Sequence, residues 1–133
     1  NGLVYDVELS PDGRLLATAN QAGLVYLVDV DSLETRRLRG QGDQVLAVAF
    51  SPDGSLIAFT GRYEGNTDVY VVPTAGGVPT RLTYHPGADR VLGWWPDGKW
   101  IIFRSTREYP FRGERAYRVP VDGGAIRPQV TVY

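Results

Sequence analysis

Short apolar runs broken by one recurring polar turn set the rhythm of this chain. "VELSPDGRLLAT" at 7–18 returns as "VAFSPDGSLIAF" at 48–59, and "GWWPDGKWIIF" follows at 93–103. The runs flanking the turns, such as "VLAVAF" and "SLIAFT", are rich in β-branched and aromatic residues. They are too short for helices and have strand length. Proline pre-sets φ at the first corner of each turn, aspartate hydrogen-bonds the local backbone, and glycine supplies the positive φ that closes a hairpin. These roles fall on Pro11, Asp12 and Gly13, on Pro52, Asp53 and Gly54, and on Pro96, Asp97 and Gly98.

The turn prolines stand 41 (52 − 11) and 44 (96 − 52) residues apart. A second landmark keeps step: "VYLVDVDSL" (25–33), "VYVVPTAGG" (69–77) and "AYRVPVDGG" (116–124) align without gaps, with Tyr26, Tyr70 and Tyr117 in register. Each unit reads as four short strands, in the second unit 44–50, 55–60, 67–73 and 78–83. Ala75-Gly76-Gly77 and Asp122-Gly123-Gly124 fit the turn between third and fourth strands. The first two strands of a unit are apolar. The fourth is polar, as suits an outer edge that must discourage pairing with another sheet. No segment has helical period. The fold class is therefore all-β, a β-propeller with three four-stranded blades per chain in one partial domain: blade one 3–40, blade two 44–84 and blade three 89–133.

Composition adds exclusions. A net charge of −1 gives no general pull toward nucleic acid or an anionic membrane surface. No apolar run approaches the roughly 20 residues that span a bilayer. Residues 1–9 carry acids where a signal peptide would be basic, so no signal peptide is expected; a soluble chain is expected, with the cytoplasm favoured and the compartment left open. The absence of cysteine excludes disulfides and thiolate metal sites. With no methionine either, the sequence reads as a trimmed, processed or engineered piece.

"LRGQGDQVLAVAFSPDGSLIAFTG" (38–61) resembles a WD-repeat junction, with Gly40-Gln41 in place of Gly-His and Asp43 at the loop acid. Val28-Asp29 stands where such repeats carry Trp-Asp. "RLTYHPGADRVLGWWPDGKWIIFRS" (81–105), followed by "AYRVPVDGG", looks more like the propeller repeats of tricorn-type proteases, and related blades occur in the TolB family and the prolyl oligopeptidases. The resemblance covers essentially the whole chain. It implies a gating or substrate-channelling propeller without the protease, whose catalytic residues lie in other domains.

Candidate sites follow from loop placement. Tight turns collect on one face; the loops between second and third strands and the blade-to-blade connections collect on the other. From turn proline to third-strand landmark the chain takes 14 (11 to 25), 17 (52 to 69) and 20 (96 to 116) residues, so length variation gathers on that second face, where binding usually lives. It would display Tyr63, Glu64, His85, Arg90, Arg107, Tyr109, Phe111 and Arg112, with Asp89 and Glu108 beside them. The arginine–aromatic mixture of 106–115 suits protein recognition, the plainer alternative being aromatics folded onto a neighbouring blade. His85, the single histidine, has no partners for a metal site and reads as a hydrogen-bonding residue between blades. Ser10 and Ser51 sit in turns on the opposite face, which speaks against a catalytic triad. Arg36, Arg37 and Arg39 read as a solvated edge rather than a phosphate site. Trp94 and Trp100 align with core positions. Trp95 takes the place of Ser10 and Ser51 and should face outward, packed over the turn or serving as a stacking platform.

Three blades cannot close a ring, and the outer sheets would leave apolar flanks in water. The expectation is a non-catalytic, self-assembling propeller fragment, engineered or natural, whose partner is itself, head to tail: a dimer of six blades, or a trimer. The alternative is a peptide- or protein-binding gating module excised from a tricorn-like or TolB-like protein. No cofactor, metal, nucleic acid or membrane enters either reading.

Overall fold

A computed structural model describes residues 3–38, 44–84, 87–105 and 115–128. Strand-rich sequence becomes three antiparallel sheets of four strands, each meandering in chain order. Blade one holds β1 (Val4–Leu9), β2 (Leu15–Asn20), β3 (Val25–Asp29) and β4 (Thr35–Leu38). Blade two holds β5 (Gln44–Phe50), β6 (Leu56–Tyr63), β7 (Asn66–Pro73) and β8 (Thr80–Arg81). Blade three holds β9 (Asp89–Trp94), β10 (Trp100–Ser105), β11 (Arg115–Pro120) and β12 (Arg127–Pro128). Among the described residues there is no helix, hence none long and apolar enough to cross a membrane.

The turns form as their residues dictate. Gly13, Gly54 and Gly98 take φ of 74°, 77° and 74°. The carboxylates of Asp12, Asp53 and Asp97 accept the backbone N–H two residues on, at 3.0, 2.9 and 2.8 Å. Ser10 and Ser51 add a bond that the turn motif alone does not suggest. Each hydroxyl donates to the turn aspartate (2.7 and 2.9 Å) and accepts the N–H of Leu15 or Leu56. The turns also nest between blades: Pro11 lies 3.7 Å from where a Cβ on Gly54 would stand, and Pro52 3.8 Å from the same point on Gly98.

Period-two alternation gives every blade a heavy face and a light face. Blade two sets Phe50, Ile57, Phe59, Tyr70 and Val72 against the light face of blade one, Ala17, Ala19, Val25 and Leu27. Its own light face, Ala49, Ala58, Val69 and Val71, receives Ile101, Phe103, Tyr117 and Val119 of blade three. On the heavy faces of blades two and three two rings stack across neighbouring strands, Phe59 on Tyr70 at 5.3 Å and Phe103 on Tyr117 at 5.9 Å. Small opposite large lets adjacent sheets interlock, and each large side chain buried there, such as Ile57, Phe59, Ile101 or Phe103, contributes roughly 1.5–3 kcal/mol.

One element departs from the sequence reading. The connection between second and third strands in blade two is a hairpin, with paired strands running out to Tyr63 and Asn66. Glu64 and Gly65 both have positive φ (51° and 82°), the requirement of a two-residue turn that matches strand twist. The extra residues of this unit lengthen β6 and β7 and leave no open loop.

Candidate functional site

Of the eight loop-face candidates, Tyr63, Glu64 and Arg90 are described. Tyr63, 50% exposed, ends β6, and Glu64 forms the hairpin tip beside it. Arg90 is not displayed on that tip: it is half-buried on β9, and its guanidinium donates to the Leu46 carbonyl of blade two at 3.4 Å. His85, Arg107, Glu108, Tyr109, Phe111 and Arg112 lie outside the described residues, as do Arg39, Gly40, Gln41 and Asp43.

The same strand pair carries a polar node that the sequence reading missed. Asp68 on β7 is 1% exposed. Its carboxylate pairs with Arg81 and accepts hydrogen bonds from Asn66 Nδ2 (2.8 Å) and Thr83 Oγ1 (3.3 Å). Thr83 in turn accepts the Val69 N–H at 2.9 Å. Arg81 donates to the Thr83 carbonyl, and its guanidinium lies over the Tyr84 ring at 4.6 Å. Burial pushes the Asp68 carboxyl up, and the pull of Arg81 offsets only part of that. The available signal was Asn66 and Asp68 in a strand whose partner carries Arg81 and Thr83.

The first strands of the blades converge on an open groove of about 460 Å³. Asp6 and Glu8 of blade one line it with Val48, Phe50, Val91 and Trp94. Asp6 accepts the Val48 N–H at 3.1 Å, tying blade one to blade two. Burial, then the neighbouring Asp6, raises the Glu8 carboxyl. The second seam is tied by Val91 N–H to Thr60 Oγ1 (2.7 Å) and by Trp94 Nε1 to the Ala49 carbonyl (3.0 Å). Arg36 belongs to the first seam too, donating to the Thr74 carbonyl at 2.7 Å. It is a tie between blades.

The outermost sheets have faces with no neighbour among the described residues. On blade one the heavy face is open, and Val7 and Leu9 are 48% and 54% exposed. Leu16, Thr18, Tyr26 and Val28 complete it by register. On blade three the light face is open, with Trp100, Ile102, Arg104 and Arg118. This flank is not the apolar one expected from sequence. Trp100 stands on it under the Arg118 guanidinium, and Trp95 lies nearby, so the outward tryptophan has found a cation. No group of three or more metal-ligating side chains is present among the described residues. The hydroxyls of Ser10 and Ser51 are committed to their turn aspartates.

Stacked four-stranded meanders with converging first strands define a β-propeller segment. The defining pattern of the tricorn protease N-terminal beta propeller domain matches residues 16–131, and the chain belongs to that family. It is 31% identical over 125 residues to an uncharacterised protein of Agrobacterium fabrum, covering 91% of this chain and 41% of that one. It is 33% identical over 116 residues to tricorn protease homolog 1 of Streptomyces coelicolor, covering 86% of this chain and 11% of the homolog. The chain thus spans well under half the length of either relative. In structure it resembles TolB from Acinetobacter baumannii, with a TM-score of 0.79 at 23% identity, over 96% of this chain and 32% of that one. That likeness is one of fold.

Proposed function

We propose that the chain is a non-catalytic propeller module that works by docking further blades on its open flanks and presenting polypeptide-binding surface as part of a larger propeller. The observation that carries this is the exposed heavy face of blade one. Its position is the one through which blades two and three bury Phe59 with Tyr70 and Phe103 with Tyr117. A face of that kind left in water invites a partner. The family match and the greater length of the relatives favour blades supplied by a longer tricorn-type protein. A second copy of this chain is the other source, closing six blades head to tail, or nine as a trimer. In either case the hydroxyls of Ser10 and Ser51 are committed to turns and the carboxylate of Asp6 to a seam, and in this reading polypeptide is held or guided here and cut elsewhere.

Light scattering over a concentration series tests the reading. The chain is expected to associate weakly as concentration rises, and Val7→Lys with Leu9→Lys to abolish that association while the sheet signal in circular dichroism persists. An ideal monomer at every concentration, indifferent to those substitutions, would contradict it.

A further inference from the structure

The two open flanks differ in charge. Where a blade packs onto its follower, the light face is small and neutral: Ala19 and Leu27 in blade one, Thr60 and Val71 in blade two. Blade three carries Arg104 and Arg118 at the equivalent positions, with Arg127 beside Arg118 on β12. The Arg118 guanidinium lies 4.5 Å from the centre of the Trp100 ring and 5.6 Å from that of Trp95. Its Nε is shielded from water and has no hydrogen-bond partner among the described residues. Aromatic rings hold a cation in place without neutralising it. Covering it with another sheet is costly unless that sheet supplies a carboxylate.

Among the described residues, blade one's open face supplies none. Its open face presents Val7, Leu9, Leu16, Thr18, Tyr26 and Val28, and Arg37 by register with Tyr26. A second copy closing the ring would add Arg37 to a flank that already holds three arginines. It would also lack a ring: Thr18 occupies the position of Phe59 and Phe103, so Tyr26 has no stacking partner of the kind Tyr70 and Tyr117 have.

We infer that the open flank of blade three is built to receive a further propeller blade that brings a carboxylate to Arg118, and that a second copy of this chain is a poor substitute. This rests on the proposed function, in which the flanks are the working surfaces. The site is continuous with an established mode of packing, since blades one and two use the same strand faces. Its specificity comes from the guanidinium, whose planar fork takes a carboxylate in bidentate fashion.

Sedimentation equilibrium on the intact chain and variants supplies the test. Thr18→Glu puts a carboxylate in the middle of blade one's open face, and it should tighten self-association about tenfold, ~1.4 kcal/mol. Adding Arg118→Leu should turn that gain into a loss, and high salt should erode it. A wild-type chain that closes as tightly as Thr18→Glu, or a gain that survives Arg118→Leu, would overturn the inference. The pair Arg104→Thr with Arg118→Leu restores the small neutral face of the other blades and separates the two readings. If it associates while Thr18→Glu has no effect, flank docking stands and the carboxylate preference falls. If neither associates, both fall.

Discussion

Asp68 shows what a single buried carboxylate asks of its surroundings. It sits at the third strand of blade two with Arg81, Asn66 and Thr83 around it, and burial still raises its pKa. A carboxyl with a raised folded pKa binds its proton more readily in the native state than in the unfolded chain. Its contribution to stability is therefore fully present below the ordinary value of 3.8 and is lost as pH rises through the raised folded value. Arg81 limits that loss at neutral pH. Arg81→Ala should destabilise the chain by about 2–3 kcal/mol near pH 7, by leaving the carboxylate unpaired. Much of the loss should be recovered as pH is lowered, because the carboxyl can then take a proton. Urea unfolding of both proteins across acid to neutral pH checks this, and a deficit independent of pH would refute it. The residue was hidden from sequence reading because one aspartate at the polar start of a strand looks like any surface acid. What distinguishes it is Arg81 on the adjoining strand, and that pairing is visible only once register is known.

The hairpins divide into those the sequence made legible and those it did not. Pro-Asp-Gly announced the first turn of every blade, because each residue type there answers a distinct backbone need. Glu64-Gly65 was not announced, since glutamate is an unusual occupant of positive φ and the segment looked like a lengthening loop. Two substitutions should act with opposite sign. Gly54→Ala places a Cβ at φ +77° near Pro11 and should cost about 1–2 kcal/mol. Glu64→Asn relieves the first position of the β6–β7 turn and should stabilise by about 0.5–1 kcal/mol. Chemical denaturation reads both, and two changes of like sign would show that backbone conformation does not govern these turns. The alternation of strand residues foretold the sheets and the polar outer strands. It did not foretell which face of each blade would be heavy, since that depends on how sheets meet.

At the scale of the whole molecule, three sheets stack through a small face meeting a large one, and the pattern stops at both ends. Sequence made the incompleteness plain by counting: three repeats where rings need more. It misjudged the character of the ends, because a flank at one end reads apolar from Val7 and Leu9 while the other holds Arg118 over Trp100. Charge at an interface depends on strand register, so Arg104, Arg118 and Arg127, scattered over 24 positions (104 to 127) in sequence, became one surface only in the fold.

Hydrogen exchange followed by mass spectrometry at low and high protein concentration tests the docking flanks most directly. Amides of β1 and β2, Val4–Leu9 and Leu15–Asn20, should gain protection as the chain associates, while β5 and β6 stay as protected as before. Association that leaves β1 and β2 unchanged and instead protects the β6–β7 hairpin would contradict docking at the flanks.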